Sequence, residues 1–376
     1  MEGTPIRAAE FFAGIGLVRT ALEPLGVQVV WANDIKRAKF DAYLENYPDA
    51  DGHFTVGDIR DVESVDLPAG IDLATSSFPC IDLSLAGRRL GLAGAQSGMF
   101  YEFARVLEGM TQRPSVVLLE NVRGFATSHG GQDIERAFAK LSSLDYSLDV
   151  LSVDAKHFVP QSRPRMFIIG IAKDKLPKDC HVGVPMPSDA RPAWVTDLHK
   201  QHSKAYAMHY LDLPPLPEGP KDLGGVLDRA VPQSAWWDVA KVEAFVESLS
   251  TVQRERFEAL RAENKISYRS AYRRTRQGVS MWELRRDAIA GCLRTTGGGS
   301  SRQALVEIGM RREPRVRWMT PTEYARLMGA GNYALVAGTP NQQMFGFGDA
   351  VVVDVVRWIG KHYLLPVLRP EATDGA

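Results

Sequence analysis

"IRAAEFFAGIGLVRTALEPLG", residues 6–26, holds the reading that decides the fold. An apolar run suited to a strand ends in a turn that carries Gly14 and Gly16. A segment of helical spacing follows and stops at Gly26. The two glycines permit a tight turn and close approach of another group to the backbone. The helix behind them offers its N-terminus to a polar ligand. Taken alone, the stretch fits a plain strand–helix turn equally well, and it is not the GxGxxG of a pyrophosphate-binding sheet.

The alternation continues outward. "VQVVWAN" reads as a second strand and "KRAKFDAYLENYP" as a helix stopped by Pro48. "IDLATSS" and "SVVLLEN" are further apolar strands, with the helix "GMFYEFARVLEGM" between them. "YSLDVLSVDA" and "RMFIIGIA" complete the set. Strand, helix, strand in short units predicts an α/β fold: a parallel sheet with helices on both faces. Ligands of such sheets lie beyond the carboxyl ends of the strands.

Composition agrees with a folded chain of more than one domain. There are 376 residues with no net charge and no apolar run long enough to span a bilayer. The N-terminus lacks the basic-then-apolar plan of a secretory signal. Cys80, Cys180 and Cys292 are far apart and odd in number, against a disulfide framework or a zinc cluster. A reducing, cytoplasmic setting is expected.

Polar residues gather at the expected strand ends. Asn33 and Asp34 close the second strand, where an acid accepts hydrogen bonds from a ribose. Asp58, followed by Ile59, closes the third and is placed to meet an adenine amino group. Phe11 offers an aromatic face beside Gly14 and Gly16. An adenosine without a pyrophosphate fingerprint favours S-adenosyl-L-methionine over NAD. Cys80 follows Pro79 just past the "IDLAT" strand, and Glu120 ends a strand of aliphatics, where desolvation should raise its pKa. Arg163 and Arg165, two apart in "QSRPR", share a face if extended.

Prolines cluster after Lys173, and periodicity weakens except in one helical stretch, "KVEAFVESLSTVQRERFEALRAE". From Lys265 to Arg317, thirteen Lys and Arg face four acids, a balance of +9, with Tyr268, Tyr272 and Trp282 interleaved. The tract includes "RTTGGGSSRQ", whose glycines and hydroxyls suit phosphate approach: Arg294, Thr295, Gly297, Gly298, Ser300 and Arg302. A solvated helical face and a nucleic-acid surface explain this tract about equally well. Further on, "TPTEYARLMG" predicts a helix capped by Thr320 with Glu323 in the reciprocal position. "DAVVVDVVRWIGKHYLL" predicts one last apolar helix.

Together "FFAGIG", "FPC", "ENV", "QSRPR", "TPTEYARLMG" and "FGFGDAVV" resemble, in order, the motifs of the DNA (cytosine-5)-methyltransferases. The resemblance covers nearly all the chain outside the variable region. It implies a Rossmann-like S-adenosylmethionine-dependent methyltransferase sheet with a smaller, loop-rich target-recognition domain. The expected divisions are residues 1–172 for catalysis and cofactor, 173–317 for target recognition and 318–376 returning to the catalytic domain. That last part would bring a C-terminal helix beside the cofactor site.

The resemblance also implies roles. Cys80 is the nucleophile that adds to C6 of a flipped-out cytosine, and Glu120 serves the ring nitrogen N3. Arg165 binds the base carbonyl while Arg163 orients the glutamate. Pro79 stiffens the thiol's approach, and Asp349 joins the cofactor residues. Arg88 and Arg89 sit in "GRRLGLAGAQSG", which resembles the loop that closes over DNA. Two positions depart from the family pattern, which often has Gln where Ile81 stands and Asn where Asp349 stands. Double-stranded DNA is the implied partner, with no membrane and no metal. The protein would act as a monomer, with or without a cognate restriction endonuclease. Three other readings compete: a noncatalytic DNA-binding member, which should have lost Cys80, Glu120 or the arginines; a tRNA-cytosine methyltransferase, with a shorter target region; and a nicotinamide-dependent dehydrogenase, which leaves the motif set unexplained.

Overall fold

The computed structural model describes residues 4–79, 98–276, 278–295 and 302–370. The chain forms two compact units: residues 1–154, 164–216 and 353–376 make the first, and 155–163 with 217–352 make the second.

The first unit is built on a seven-stranded sheet. Its strands are β1 (Ile6–Phe11), β2 (Val27–Asp34), β3 (Phe54–Val56), β4 (Leu73–Ser76), β5 (Val116–Val122), β6 (Tyr146–Asp154) and β7 (Pro164–Ala172), in the order β3-β2-β1-β4-β5-β7-β6. The first five run parallel, as the alternating pattern predicts. β7 runs antiparallel to both β5 and β6, which corrects the wholly parallel expectation. The connection Ala155–Arg163 is shorter than the dozen or so residues a parallel crossover needs, so β7 returns beside β6.

Helical spacing explains how the helices attach. α1 (Leu17–Leu22) and α2 (Arg37–Asn46) follow β1 and β2; α3 (Met99–Gly109) and α4 (Gln132–Ser143) flank β5. In α3, Phe100, Phe103, Ala104 and Leu107 make one stripe and are all fully buried. Ile134, Ala137, Phe138 and Leu141 do the same for α4, and both stripes join Phe11, Trp31 and Leu119 in one core. α2 lies on the opposite side of β1, where Tyr43 reaches Glu10. The C-terminal helix Val353–Ile359 packs on α1. There a Cβ on Gly360 would come within 2.6 Å of the Leu22 side chain, which would have to shift.

This unit runs on to Leu216, beyond the break expected at Lys173. Residues 173–216 supply the short strands β8 (His181–Val182) and β9 (His209–Tyr210) and the helix α5 (Ala193–His202). Buried Asp149 of β6 holds the segment. Its carboxylate accepts from Arg191 at 2.6 Å, His199 at 3.0 Å and Tyr363 at 2.8 Å. Polar ties of this kind leave no hydrophobic period in the sequence.

The second unit carries a four-stranded antiparallel sheet, β11-β10-β12-β13. The strands are β10 (Ile266–Arg276), β11 (Val279–Leu284), β12 (Gln303–Gly309) and β13 (Arg315–Trp318). The single helical stretch expected before it is two helices, α6 (Val239–Glu247) and α7 (Thr251–Ala262), whose N-caps are Asp238 and Ser250. Both cover one face of the sheet through Phe245, Phe257 and Leu260. α8 (Pro321–Leu327) starts with the predicted capping box of Thr320 and Glu323. Residues 318–352 belong to this unit, where a return to the first was expected at 318. Glu323 is the reason: it forms a fully buried ion pair with Arg317 of β13 at 2.5 Å. The expected last helix is also divided. "FGFGD" ends α9 (Pro340–Asp349), and the terminal helix starts only at Val353.

Candidate active site

β1, β2 and β3 deliver the first group of residues. Gly14 and Gly16 adopt positive φ, +60° and +80°. A Cβ on Gly16 would meet the Tyr43 ring at 2.8 Å, so only glycine fits there. Over Gly14 the space is open, with nothing nearer than 3.9 Å. Asp34 braces this turn from the next strand. Its Oδ2 accepts from the Gly14 amide at 3.0 Å, and its Oδ1 accepts from the Lys36 amide at 2.9 Å. Asn33 is buried and donates to the Thr55 and Gly57 carbonyls, so its amide fastens β3 to β2. Asp58 caps the turn after β3 and pairs with Arg60 at 2.5 Å; that hydrogen bond holds its carboxyl below the usual range.

Two expected cofactor contacts change. Phe11 is not an available aromatic face: it is 1% exposed and packed against Trp31 and Phe103. Alternation along β1 turns it into the core. Phe12 is the half-buried ring beside the glycines, at φ +56°, an uncommon conformation for a bulky residue. Ile59 likewise belongs to the core, at 3% exposure.

β4, β5 and β7 deliver the second group. Glu120 and Arg165 lie one diagonal step apart on paired strands, since Arg165 faces Val122. Arg165 Nε is 2.8 Å from Glu120 Oε1, and both side chains are mostly buried. Asn121, buried beside them, donates to the Phe78 carbonyl at 3.2 Å and accepts from the Val122 amide at 2.8 Å. This ties the end of β5 to the segment that leads through half-buried Pro79 to Cys80. Cys80 itself, with Ile81, Arg88 and Arg89, lies outside the described residues.

Arg163 lies elsewhere. It precedes β7, so it does not share a strand face with Arg165, and it belongs to the second unit. It is 2% exposed and donates to the carbonyls of Leu293 at 2.8 Å, Gly348 at 3.0 Å and Ala350 at 2.7 Å. Arg165 is ion-paired with Glu120, and Arg163 holds the backbone at Leu293 and at Gly348 and Ala350. Gln161 works the same way, bonding the Leu327 carbonyl and the Leu293 amide.

In the second unit, Asp349 receives a hydrogen bond from Thr295. A Cβ on Gly348 would come within 2.7 Å of the Arg294 backbone, so the "FGFGD" glycine permits this approach. One expected cofactor residue and one expected DNA residue are thereby joined. Arg294 is exposed and Arg302 half-buried; Gly297, Gly298 and Ser300 lie outside the described residues.

Sequence reading missed Glu10. It is 2% exposed, bonded to the Tyr43 hydroxyl at 3.0 Å, and burial pushes its pKa to about 8. Its position inside the strand that ends in the glycine turn was the available signal.

The family described as C-5 cytosine-specific DNA methylase matches residues 6–364. Type II methyltransferase M.HhaI of Haemophilus parahaemolyticus is 30% identical over 172 residues, 46% of this chain and 50% of that protein. Type II methyltransferase M.DsaV of Dactylococcopsis salina is 31% identical over 188 residues, 50% of this chain and 51% of that protein. The chain thus spans about half the length of the curated relatives it matches. Two solved structures share the fold. The methyltransferase EhMeth of Entamoeba histolytica has a TM-score of 0.64 at 13% identity, covering 97% of this chain and 98% of that one. The Dnmt2 methyltransferase of S. pombe has a TM-score of 0.57 at 17% identity, covering 97% and 99%.

Proposed function

Because the chain belongs to the C-5 cytosine-specific DNA methylases, we propose that it methylates C5 of cytosine in a specific duplex DNA sequence. The observation that carries this reading is the Glu120–Arg165 pair beside Asn121, which anchors the segment leading to Cys80.

S-adenosyl-L-methionine would supply an electrophilic methyl group on a sulfonium. The residues fit it: open space over Gly14, the Phe12 ring, and acids at the ends of β2 and β3. Asp34 would hold the ribose while bracing the turn, and Asp58 would meet the adenine amino group. Pro79 and Asp349 complete the proposed set.

Cytosine is a poor electrophile at C6. Glu120 would hydrogen-bond or protonate N3, withdrawing electrons as the Cys80 thiolate adds to C6. Arg165 would keep Glu120 in place and stabilise charge at the base carbonyl. C5, made carbanion-like, takes the methyl group; loss of its proton then expels Cys80 and restores the ring. A base stacked in a duplex cannot reach a thiolate, so the cytosine must be flipped out. Arg88, Arg89, Arg294, Thr295, Gly297, Gly298, Ser300 and Arg302 are proposed DNA contacts. The protein would act as a cytoplasmic monomer, in a restriction-modification pair or alone.

A duplex with 5-fluorocytosine at the target tests this. Fluorine blocks the final elimination, so wild type should form a covalent complex that needs S-adenosyl-L-methionine, and Cys80→Ala should not. Equal trapping by Cys80→Ala would assign the nucleophile to another residue.

A further inference from the structure

The hairpin of β10 and β11 outruns its sheet. β12 pairs with β10 only from Ile266 to Tyr272, whereas β11 pairs with it from Ala271 to Arg276. Among the described residues the hairpin beyond Tyr272 is a two-stranded ribbon, and Arg273, Arg274, Thr275, Val279 and Ser280 on it are exposed. A ribbon of that width is one of the two elements the major groove of B-DNA admits.

Its two faces differ in charge. On one face the described arginines have acid partners: Arg274 of the ribbon pairs with Glu283 at 3.4 Å, and on β13 Arg315 pairs with Glu307 at 3.5 Å and Arg317 with Glu323 at 2.5 Å. Alternation puts Arg273, Thr275 and Ser280 on the other face, with Thr275 opposite Ser280 and Arg273 opposite Trp282. There the cations rest on rings. Trp237, Trp282 and Trp318 form a cluster with centroids 5.2–5.5 Å apart. Lys241 Nζ lies 4.5 Å from the Trp237 centroid, Arg302 lies 5.0 Å from that of Trp318 and Arg273 lies 6.0 Å from that of Trp282. Among the described residues none of these three makes an ion pair, and Arg302 Nε is buried without a hydrogen-bond partner. Tryptophan faces hold the charges in place without neutralising them. Such a surface complements phosphates.

We infer that the β10–β11 ribbon is the element that reads the target sequence. It enters the major groove with Arg273, Thr275 and Ser280 toward the base edges, while Lys241 and Arg302 on the tryptophan cluster grip the flanking phosphates. This rests on the methyltransferase reading and adds what that reading leaves open, namely which side chains specify and which only position. Arg273 is suited to guanine, whose O6 and N7 accept both arms of a guanidinium.

The experiment compares wild type, Arg273→Ala, Lys241→Ala and Arg274→Ala. Methylome sequencing gives the site each protein modifies, and binding to a duplex with the wild-type site is measured across salt concentrations. All three substituted side chains are outside the core, and matching thermal melts confirm folding. Arg273→Ala should relax one base pair, losing roughly 5- to 150-fold discrimination there. Lys241→Ala should weaken all duplexes alike and lower the salt slope by about 1. Arg274→Ala should keep the wild-type site. An unchanged site in Arg273→Ala together with an unchanged salt slope in Lys241→Ala overturns the inference, as does a wild-type preference for structured RNA over duplex. A wild type that binds duplex through Lys241 but transfers no methyl group would overturn the enzymatic reading and leave this surface standing.

Discussion

Arg165 Nε lies 2.8 Å from Glu120 Oε1, across the antiparallel pairing of β5 and β7. A wholly parallel sheet could not place Arg165 there, since β7 must reverse to bring residue 165 beside the end of β5. The pair gives the Glu120 carboxyl group a fixed orientation, which the proposed function uses to contact cytosine.

Arg165→Ala should therefore lower kcat by about 10²–10³-fold, the usual loss when one preorganised donor is removed. Arg165→Lys should rescue little, because a point charge does not reproduce the guanidinium geometry. Binding of S-adenosyl-L-methionine, measured by calorimetry without DNA, should be unchanged. Wild-type turnover in Arg165→Ala would remove this residue from the chemistry.

Asn121 touches no proposed substrate group but holds the Phe78 carbonyl two residues before Cys80. Asn121→Ala should loosen that segment and leave a buried carbonyl unsatisfied, at a cost of about 1–3 kcal/mol. Turnover should fall more than duplex affinity does. Equal losses in both would show a general folding defect.

Glu10 gives a stability signature. Burial raises its pKa from 4.5 to about 8, so between those values the unfolded chain has released a proton that the folded chain retains. The contribution is fully present below pH 4.5 and is lost as pH rises through about 8. The slope approaches 1.4 kcal/mol per pH unit in that window. Glu10→Gln cannot ionise and should flatten this dependence in urea unfolding, gaining on wild type at pH 8.5. Parallel curves would mean that Glu10 is solvated.

The parallel core of the fold was legible because β1, β2, β4 and β5 are apolar runs and α3 and α4 carry hydrophobic stripes. What escaped was set by polar contacts between distant residues. Asp149 gathers Arg191, His199 and Tyr363 from well-separated positions, and that network extends the first unit to Leu216. Glu323 and Arg317 likewise retain residues 318–352 in the second unit. At the site, strand ends explain both shifts of assignment. Phe11, the last residue of β1, turns inward, and Phe12, in the turn that follows, is half-buried. Arg163 precedes the strand on which Arg165 stands, so residue spacing alone could not separate the clamp from the glutamate's partner.

The most direct measurement is transfer of a tritiated methyl group from S-adenosyl-L-methionine, offered with unmethylated duplex DNA, with tRNA and with neither. The account predicts incorporation into duplex DNA alone, recovered as 5-methylcytosine after nucleoside digestion and absent with Cys80→Ser. Label in tRNA, label in another DNA base, or full transfer by Cys80→Ser would contradict it.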